Sequence, residues 1–575
     1  MTEISSESTS QRDTTPPVSQ RDRLERLRLA RSGPWLLGLL ALVPPVMMLR
    51  EVLNYSQMHF YDYWWVLLDI TNPDGSLRPW ELLNFRNEHP FVLPTLLFWL
   101  SARFGDGLNQ PLGALIIVFG VASVLLVWRL LPSGLGRWPR AGLVVATSTL
   151  VFNPHGIHNY VRSMSGASWL LALMLVLAAL LAMQRGRPLV AVALGLLASI
   201  SYGTSFALWP GLVLMAWLRG DRRRWVITPA VVGVLVVATW FVLRGPQGGG
   251  DSPTGDPAQV ALTGLSMLGL VWTGSGVAIA LLAAVAGLAV LALHVPTSLS
   301  PENRRSSAPW WGLVVYALGC AVMISGSRAA FGTEAGLQSR YNSMAAALWI
   351  ALLVIVVSWP RVRRPGTRAV VLGSTVVATV TLSVPMAQTV REDSSTQRLL
   401  AVAARVGATD TLTSRFPRPQ QLLPRLRDLG HYPFSDEFGL GCGQGIEVGA
   451  RVNTSKWRTP GIGSYREPLP NGRNVLLNVE HDKLHDDTRL LKGWAISGIE
   501  RARCVVVLDA ADRVVGGGVV DLPRPQAETK TPGVELGLGY RAVVPAGSGP
   551  LRLAFRFPDG WWKRPLSRNP EVANS

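Results

Sequence analysis

The sequence predicts an α-helical polytopic membrane protein that ends in a soluble β-domain. Three observations support this fold class. Of the 575 residues, 48% are hydrophobic and only 16% are charged, which is too apolar for an ordinary soluble enzyme. Runs of about 15–20 apolar residues recur along the chain, and a helix of that length spans a bilayer. From about Arg391 onward the runs give way to short segments that are typical of strands.

The formal net charge of +18 first suggests a nucleic-acid partner. The arginines, however, lie in short clusters between apolar runs, with the strongest cluster at 219–224. Clusters of this kind mark the cytoplasmic loops of membrane proteins. We therefore expect no nucleic-acid partner, and we use the clusters to assign the two sides of the membrane.

Residues 1–33 are polar and rich in Ser, Thr, Asp and Arg. This composition predicts a disordered, basic, cytoplasmic N-terminus without a cleavable signal peptide. The first apolar run, residues 35–49, then acts as an uncleaved anchor that runs outward. We place the protein in a cytoplasmic membrane.

Residues 34–390 form the predicted membrane domain, with about eleven spans. The shorter run at 91–100 is interpreted as a helix that dips into or lies on the outer interface. The long run at 258–294 is interpreted as an interfacial helix followed by a span. The eleven runs are 35–49, 111–131, 141–152, 168–183, 189–201, 206–218, 226–243, 258–294, 310–324, 344–357 and 370–386.

One assignment of sides places every basic cluster in the cytoplasm. The same assignment gathers the chemically useful residues of the loops on the outer face, although those residues were not used to make it. They are Asp62, Glu88, His89, His155, His158, Arg162, Arg328 and Arg340. The pattern indicates a site that faces outward.

The long outer loop, residues 51–91, contains an aspartate among aromatic residues. Asp62 is flanked by Tyr61, Tyr63 and Trp64. Partial desolvation by these rings would raise its pKa, and such a carboxylate can accept a proton from an attacking sugar hydroxyl. The alternative is an aspartate that only caps a helix.

The same loop ends in Asn87-Glu88-His89-Pro90. An adjacent acid and imidazole can share a proton or bind a divalent metal, so a metal cofactor is one expectation. The alternative is an interfacial pair that caps the dipping helix through Asn87. No HExxH or CxxC spacing supports a metal site. His155 and His158 could share one face of a helical turn, in a structural role or as ligands.

Arg162, Arg328 and Arg340 lie on or beside outer segments where positive charge is otherwise sparse. The forked guanidinium matches phosphate oxygens, so these arginines suit a lipid-linked phosphate. Tyr341 adds a ring and a hydroxyl beside Arg340. The alternative is that the arginines snorkel or pair with acids.

Residues 391–575 form the predicted outer domain, a small α/β-sandwich. We expect helices at 391–406 and 420–429. Strands are expected at 474–479, at 551–557, and in a hairpin that turns at 509–512. Cys442 and Cys504 lie in this domain, where a disulfide can persist, and we expect them to pair.

The order of these features resembles the GT-C class of membrane glycosyltransferases. The resemblance is carried by Asp62 in YDYWW, by NEHP at 87–90, and by Ser339-Arg340-Tyr341 after a glycine-containing outer loop. It covers roughly residues 35–386 in architecture. Many members of that class carry a second acid, whereas here Tyr61 precedes Asp62. Glu88 is the obvious substitute.

The resemblance implies transfer of a sugar from a polyprenyl-phosphate donor to an envelope glycan acceptor at the outer membrane surface. Asp62 would be the catalytic base, assisted by Glu88, and Arg340 would bind the carrier phosphate. His89, Tyr61, Arg162, Arg328 and Tyr341 complete the expected substrate site. Two alternatives remain open, a transporter or flippase of a lipid-linked glycan and a non-catalytic envelope assembly protein. The transporter would need polar or charged residues near the bilayer centre, in which the spans are poor.

Overall fold

The computed structural model describes most of the chain. Residues 1–31, most of the expected N-terminal tail, lie outside the described residues, as do Asn87 and Glu88. The described residues are 32–86, 89–243, 256–273, 276–359, 362, 364–381, 386–413, 416, 418–459, 466–468, 474–528, 535–566 and 571–572.

The first part of the chain is a bundle of helices, as its apolar runs predict. Every predicted span overlaps a helix, and the run at 258–294 is divided into two helices as expected. The helices are Ser32–Asn54, Asp62–Ile70, Val92–Phe104, Asn109–Leu130, Arg137–Val151, His158–Val161, Ser163–Gln184, Pro188–Ser201, Leu208–Arg219, Arg223–Leu243, Pro257–Gly269, Val277–Leu299, Arg304–Arg328, Asn342–Ser358 and Pro365–Thr381.

Seven of the described helices are long and apolar enough to cross a membrane. The count of about eleven spans stays a prediction, because several further helices are shorter than a bilayer requires. The seven are Ser32–Asn54, Asn109–Leu130, Ser163–Gln184, Arg223–Leu243, Val277–Leu299, Arg304–Phe331 and Ser339–Ser358.

The centre of the bundle is formed by Ser163–Gln184 and Ser339–Ser358, whose apolar windows are each 83% buried in protein. Arg223–Leu243 is only 11% buried and lies at the periphery. Close helix packing uses glycine, as is common in membranes. A Cβ on Gly211 would lie 2.6 Å from the carbonyl oxygen of Gly312 on the neighbouring helix.

The C-terminal part begins with the helix Met386–Val406, here called the linker helix. Short helices follow at Asp410–Thr413 and Pro419–Asp428, and another lies at Pro525–Glu528. The strands are β1 (Arg466–Pro468), β2 (Asn474–His485), β3 (Thr488–Ser497), β4 (Glu500–Arg501), β5 (Cys504–Leu508), β6 (Val514–Leu522), β7 (Gly539–Pro545), β8 (Arg552–Phe557), β9 (Gly560–Pro565) and β10 (Glu571–Val572).

These strands form one continuous sheet in the order β1-β2-β3-β7-β6-β5-β8-β9, with β10 and β4 beside β2 and β3. The predicted sandwich of two sheets is therefore wrong in this respect. The reason is that β7 pairs with both β3 and β6 and so joins what would be two sheets. The predicted hairpin of β5 and β6 and the strand at β8 are confirmed.

Both faces of the sheet centre are buried, which is why β5 is buried at every residue. One face, with Val505 and Phe555, forms an apolar cluster within the sheet. The other face, with Val506 and Val543, joins the apolar cluster of the helical bundle through the linker helix. The sheet is thus docked onto the helical bundle.

Cys442 and Cys504 form a disulfide in the structure, with their Cα atoms 5.3 Å apart. The bond joins the segment after Pro419–Asp428 to the start of β5. Cys320 is a free and buried thiol inside the bundle.

Candidate functional site

The helix Asp62–Ile70 positions the aspartate of the outer loop. Tyr63 and Trp64 are fully buried, and each is held by a hydrogen bond. The Tyr63 hydroxyl donates to the carbonyl of Phe98 at 3.2 Å, and Trp64 Nε1 donates to the carbonyl of His59 at 3.1 Å. The rings of Tyr63 and Trp64 are in the core. Asp62, the first residue of the helix, is half-buried.

Two opposing effects act on the Asp62 carboxyl. Burial raises its pKa, and the positive charge of Arg340 lowers it in part, so that the net shift is upward. Arg340 is therefore the charged neighbour of Asp62, although the two are far apart in sequence. The capping alternative is not met, because Asp62 is the first residue of the helix, the N-cap residue is Tyr61, and no described side chain caps the helix. The helix dipole still favours a carboxylate at this position.

His89 lies in the same neighbourhood and packs on the turn after Pro188–Ser201. Its ring centroid is 4.4 Å from that of Tyr202. A Cβ on Gly203 would come within 2.7 Å of His89 Nδ1, so this close approach requires glycine. Burial lowers the pKa of His89 to about 4, and the charges of Arg328 and Arg340 add to the shift.

Arg340 belongs to the short helical turn Ser339–Tyr341, which is held by the loop around His158. Asn159 Nδ2 donates to the carbonyl of Arg340 at 3.1 Å. The Nε of Arg340 is buried and has no hydrogen-bond partner among the described residues. Its guanidinium lies 5.1 Å from the ring centroid of Tyr341, which is itself 3% exposed.

Arg328 ends the helix Arg304–Arg328 and is half-buried. Its guanidinium lies 5.8 Å from the ring centroid of Phe331. Among the described residues, neither Arg328 nor Arg340 forms an ion pair. The structure therefore leaves two guanidinium groups available for an anion near His89, and one of them, that of Arg340, also acts on Asp62.

Arg162 forms an ion pair with an acid, and its expected part in substrate binding stays a prediction. Its Nε and Nη2 lie 2.9 and 2.7 Å from the two carboxylate oxygens of Asp393 on the linker helix. Its guanidinium also lies 4.2 Å from the ring centroid of Phe60. An arginine held in this way matches the alternative in which outer arginines pair with acids.

The remaining predicted residues are distributed more widely. Tyr61 lines a narrow cleft with Trp65, Phe416 and Arg418, and so faces the C-terminal part rather than Arg340. Glu88 lies outside the described residues, so its expected role as second acid stays a prediction.

His155 and His158 belong to no group of three or more possible metal ligands among the described residues. His155 is 4% exposed, and neither of its ring nitrogens has a hydrogen-bond partner among the described residues. The backbone N–H of His158 donates to Ser339 Oγ at 3.4 Å, which helps to fix the turn that carries Arg340.

The described residues contain no group of three or more His, Cys, Asp or Glu side chains that could hold a metal ion. Asp62 and His89 alone would supply fewer protein ligands than such a site normally uses. Metal use therefore stays a prediction that depends on Glu88.

Sequence reasoning missed three residues that matter to this region. Tyr202 contacts both His89 and Trp169. Tyr55 and Asp393 form a polar cluster with Arg162. The Tyr55 hydroxyl donates to the Asp393 carboxylate, which in turn pairs with Arg162. A tyrosine shortly after the first apolar run was the available sequence signal for Tyr55.

Comparison of the chain with known proteins finds no matching family model, no matching curated protein and no matching solved structure.

Proposed function

We propose that the protein is a membrane glycosyltransferase of the GT-C type. It moves a sugar from a polyprenyl-phosphate donor to an envelope glycan acceptor at the outer face of a bacterial cytoplasmic membrane. The observation that carries this proposal is the half-buried carboxylate of Asp62 in the electrostatic field of Arg340, whose buried Nε has no hydrogen-bond partner among the described residues.

The two unpaired arginines suit the phosphate of the donor. Arg328 lies near the end of the candidate span Arg304–Phe331, and Arg340 lies near the start of the candidate span Ser339–Ser358. Charged groups at span ends lie near the interface between lipid and water, where the phosphate of a lipid carrier also lies. Their charge would stabilise the phosphate as it leaves with the electron pair of the broken bond.

Asp62 serves as the general base. The acceptor hydroxyl gives its proton to the Asp62 carboxylate while its oxygen forms a bond to the anomeric carbon of the donor sugar. The bond between that carbon and the phosphate oxygen breaks, and the carrier phosphate departs as an anion. The raised pKa makes the Asp62 carboxylate a stronger base, and a stronger base accepts the proton of the acceptor hydroxyl more readily.

His89 and Tyr202 would shape the site between the base and the arginines. The pKa of His89 is lowered, so its ring is neutral at physiological pH and can donate or accept a hydrogen bond to a sugar hydroxyl. Tyr341 and Tyr202 offer rings close to Arg340 for the same substrate. Glu88 would be the second acid, and a divalent metal would require it.

Transport is less well supported than transfer. In the seven candidate spans every Asp, Glu, Lys and Arg lies near a helix end. A pathway for a charged lipid-linked glycan would be expected to place such groups nearer the bilayer centre. Non-catalytic assembly would explain the β-domain but not the charge of Arg340 acting on the half-buried Asp62 carboxyl.

The test uses the full-length protein in liposomes that contain a panel of labelled polyprenyl-phosphate sugars and a bacterial envelope glycan extract. We expect one donor to lose its label to the glycan fraction in a protein-dependent manner. Absence of transfer from every donor by folded protein would contradict the proposal. Faster movement of an intact labelled lipid across the bilayer would support a flippase instead.

A further inference from the structure

A polar cavity of about 490 Å³ lies between the helical bundle and the β-domain, apart from the Asp62 site. One wall is the end of the first span and the start of the second, with Asn54, Gln57 and Gln110. The linker helix supplies Arg398. The sheet supplies the opposite wall, from Arg501 to Cys504 and from Gly518 to Asp521. Its volume falls in the range of small-molecule sites, about 300–1,000 Å³.

The first wall offers side-chain amides, each of which can donate and accept. Gln110 Nε2 donates to the carbonyls of Leu53 at 2.8 Å and Tyr55 at 3.2 Å, which leaves its oxygen unused. The side chains of Asn54 and Gln57 make no hydrogen bond to other described residues. Groups that both donate and accept are suited to sugar hydroxyls, which do the same.

The arginines of the cavity do not make it a strong anion site. Arg501 pairs with Asp521, and Arg503 pairs with Glu535 at 2.9 Å. Arg398 Nη2 donates to the carbonyl of Asn54 at 2.6 Å, so part of its donor capacity is also used. Because two of the three positive charges have acidic partners, the lining favours a neutral polar ligand over an anion.

Aromatic rings line part of the cavity. Tyr432 and Phe438 have ring centroids 5.9 Å apart and are tilted by 50°. Aromatic faces can pack against the apolar faces of sugar rings while neighbouring amides bind the hydroxyls. A phospholipid headgroup would not need this combination of rings and amides.

The cavity is linked directly to the candidate catalytic loop. Gln57 lines it and precedes Asp62 by only a few residues. Tyr55 lines it too, and its hydroxyl donates to Asp393, the partner of Arg162. The guanidinium of Arg162 in turn packs on Phe60, just before Asp62. A ligand in the cavity would therefore contact the same segment that carries the base.

We propose that this cavity binds a neutral, hydroxyl-rich segment of the acceptor glycan and holds it beside the loop that carries Asp62. This inference rests on the proposed glycosyltransferase function. The β-domain then contributes to acceptor binding through Arg501, Arg503 and the rim of β6, rather than through a separate surface.

The binding experiment applies fluorescent full-length protein in detergent to a printed array of neutral and anionic bacterial envelope oligosaccharides. Vesicles of phosphatidylglycerol are tested in parallel. Gln57→Leu removes an amide, Ser395→Trp fills the cavity, and Gln420→Leu is the matched control on an exposed helix surface. We expect the wild type and Gln420→Leu to bind neutral oligosaccharides. Gln57→Leu and Ser395→Trp should bind at least tenfold more weakly.

Three results would overturn the cavity proposal. These are no array binding by folded wild-type protein, equal binding by all variants, and binding to the vesicles alone.

Asp62→Asn separates the two proposals, because it should lose transfer but keep array binding. Glycan binding that depends on Gln57 without any transfer by the wild type would reject the transferase and keep the glycan site. Normal transfer by Ser395→Trp would reject the acceptor role of the cavity and keep the transferase.

Discussion

Arg162 and Asp393 form a bidentate ion pair across a sequence separation of 231 residues. Arg162 precedes the central helix of the bundle, and Asp393 lies on the linker helix that covers one face of the sheet. Tyr55 donates to the same carboxylate. This cluster therefore holds the β-domain at a defined place beside the outer loop.

Loss of this ion pair should destabilise the docked β-domain. Arg162→Ala leaves the Asp393 carboxylate, only 10% exposed, without its main partner. We expect a loss of about 3 kcal/mol in the free energy of unfolding, since removal of one member of a buried pair is strongly destabilising. The measurement is urea unfolding of the full-length protein in detergent.

The double variant Arg162→Met with Asp393→Leu is the control for that change. It removes both charges and should recover most of the lost stability. An Arg162→Ala protein as stable as the wild type would contradict the role of the pair.

Acidification should destabilise the fold through His155. Burial lowers the pKa of its ring from 6.5 to about 4. Between these values the unfolded chain binds a proton that the folded chain excludes, so the stabilising contribution is complete above pH 6.5 and is lost as pH falls toward 4. The effect at pH 4 is at most about 3 kcal/mol.

The pH dependence of thermal unfolding tests this point. His155→Leu should have a flatter dependence between pH 6.5 and 4 than the wild type, with a residual slope from buried histidines such as His59. Equal slopes for the two proteins would show that His155 does not carry the effect.

Removal of the disulfide should lower stability without changing the site around Asp62. Cys442 and Cys504 are separated by 62 residues, and closing a loop of that length is worth about 4 kcal/mol in the chain-entropy description. Cys442→Ala with Cys504→Ala should therefore lower the unfolding midpoint in urea. Cys320→Ala is the matched control, and a double variant as stable as that control would refute the prediction.

Arg340 should contribute more to donor binding than Arg328, because Arg340 is the charge that acts on the Asp62 carboxyl. Arg340→Met should raise KM for the polyprenyl-phosphate sugar and lower kcat at least tenfold, since charge-assisted contacts to phosphate are lost. Arg340→Lys should recover part of the loss as a point charge. Unchanged kinetics for Arg340→Met would remove this residue from the site.

The helices and four of the ten described strands, β2, β5, β6 and β8, could be predicted from the sequence, because apolar runs and alternation are local signals. The basic clusters alone set the assignment of membrane sides, and that assignment also placed Arg328, Arg340 and His89 on one predicted face. Arg162 shares with Arg340 a predicted place on the outer side, although the sequence favoured Arg340 for substrate binding. Its partner Asp393 lies on a distant helix, and no local pattern reports such a contact.

The pairing of the strands into one sheet could not be predicted for a similar reason. Hairpins such as β5–β6 follow from neighbouring segments and their turn. The pairing of β3 with β7 joins segments that are far apart in sequence, and it decides whether the strands form one sheet or two. Tyr202 was likewise recognisable only once the packing of His89 on Gly203 was known.

The most direct test of the central claim compares the initial rate of sugar transfer by the wild type and by Asp62→Asn, in liposomes with the donor that supports turnover. Asp62→Asn keeps the size of the side chain and removes its basicity, so transfer should fall by about 10²–10⁴-fold while Arg340-dependent donor binding persists. Full transfer by a folded Asp62→Asn protein would contradict the account and move the base to another residue, with Glu88 the first to examine.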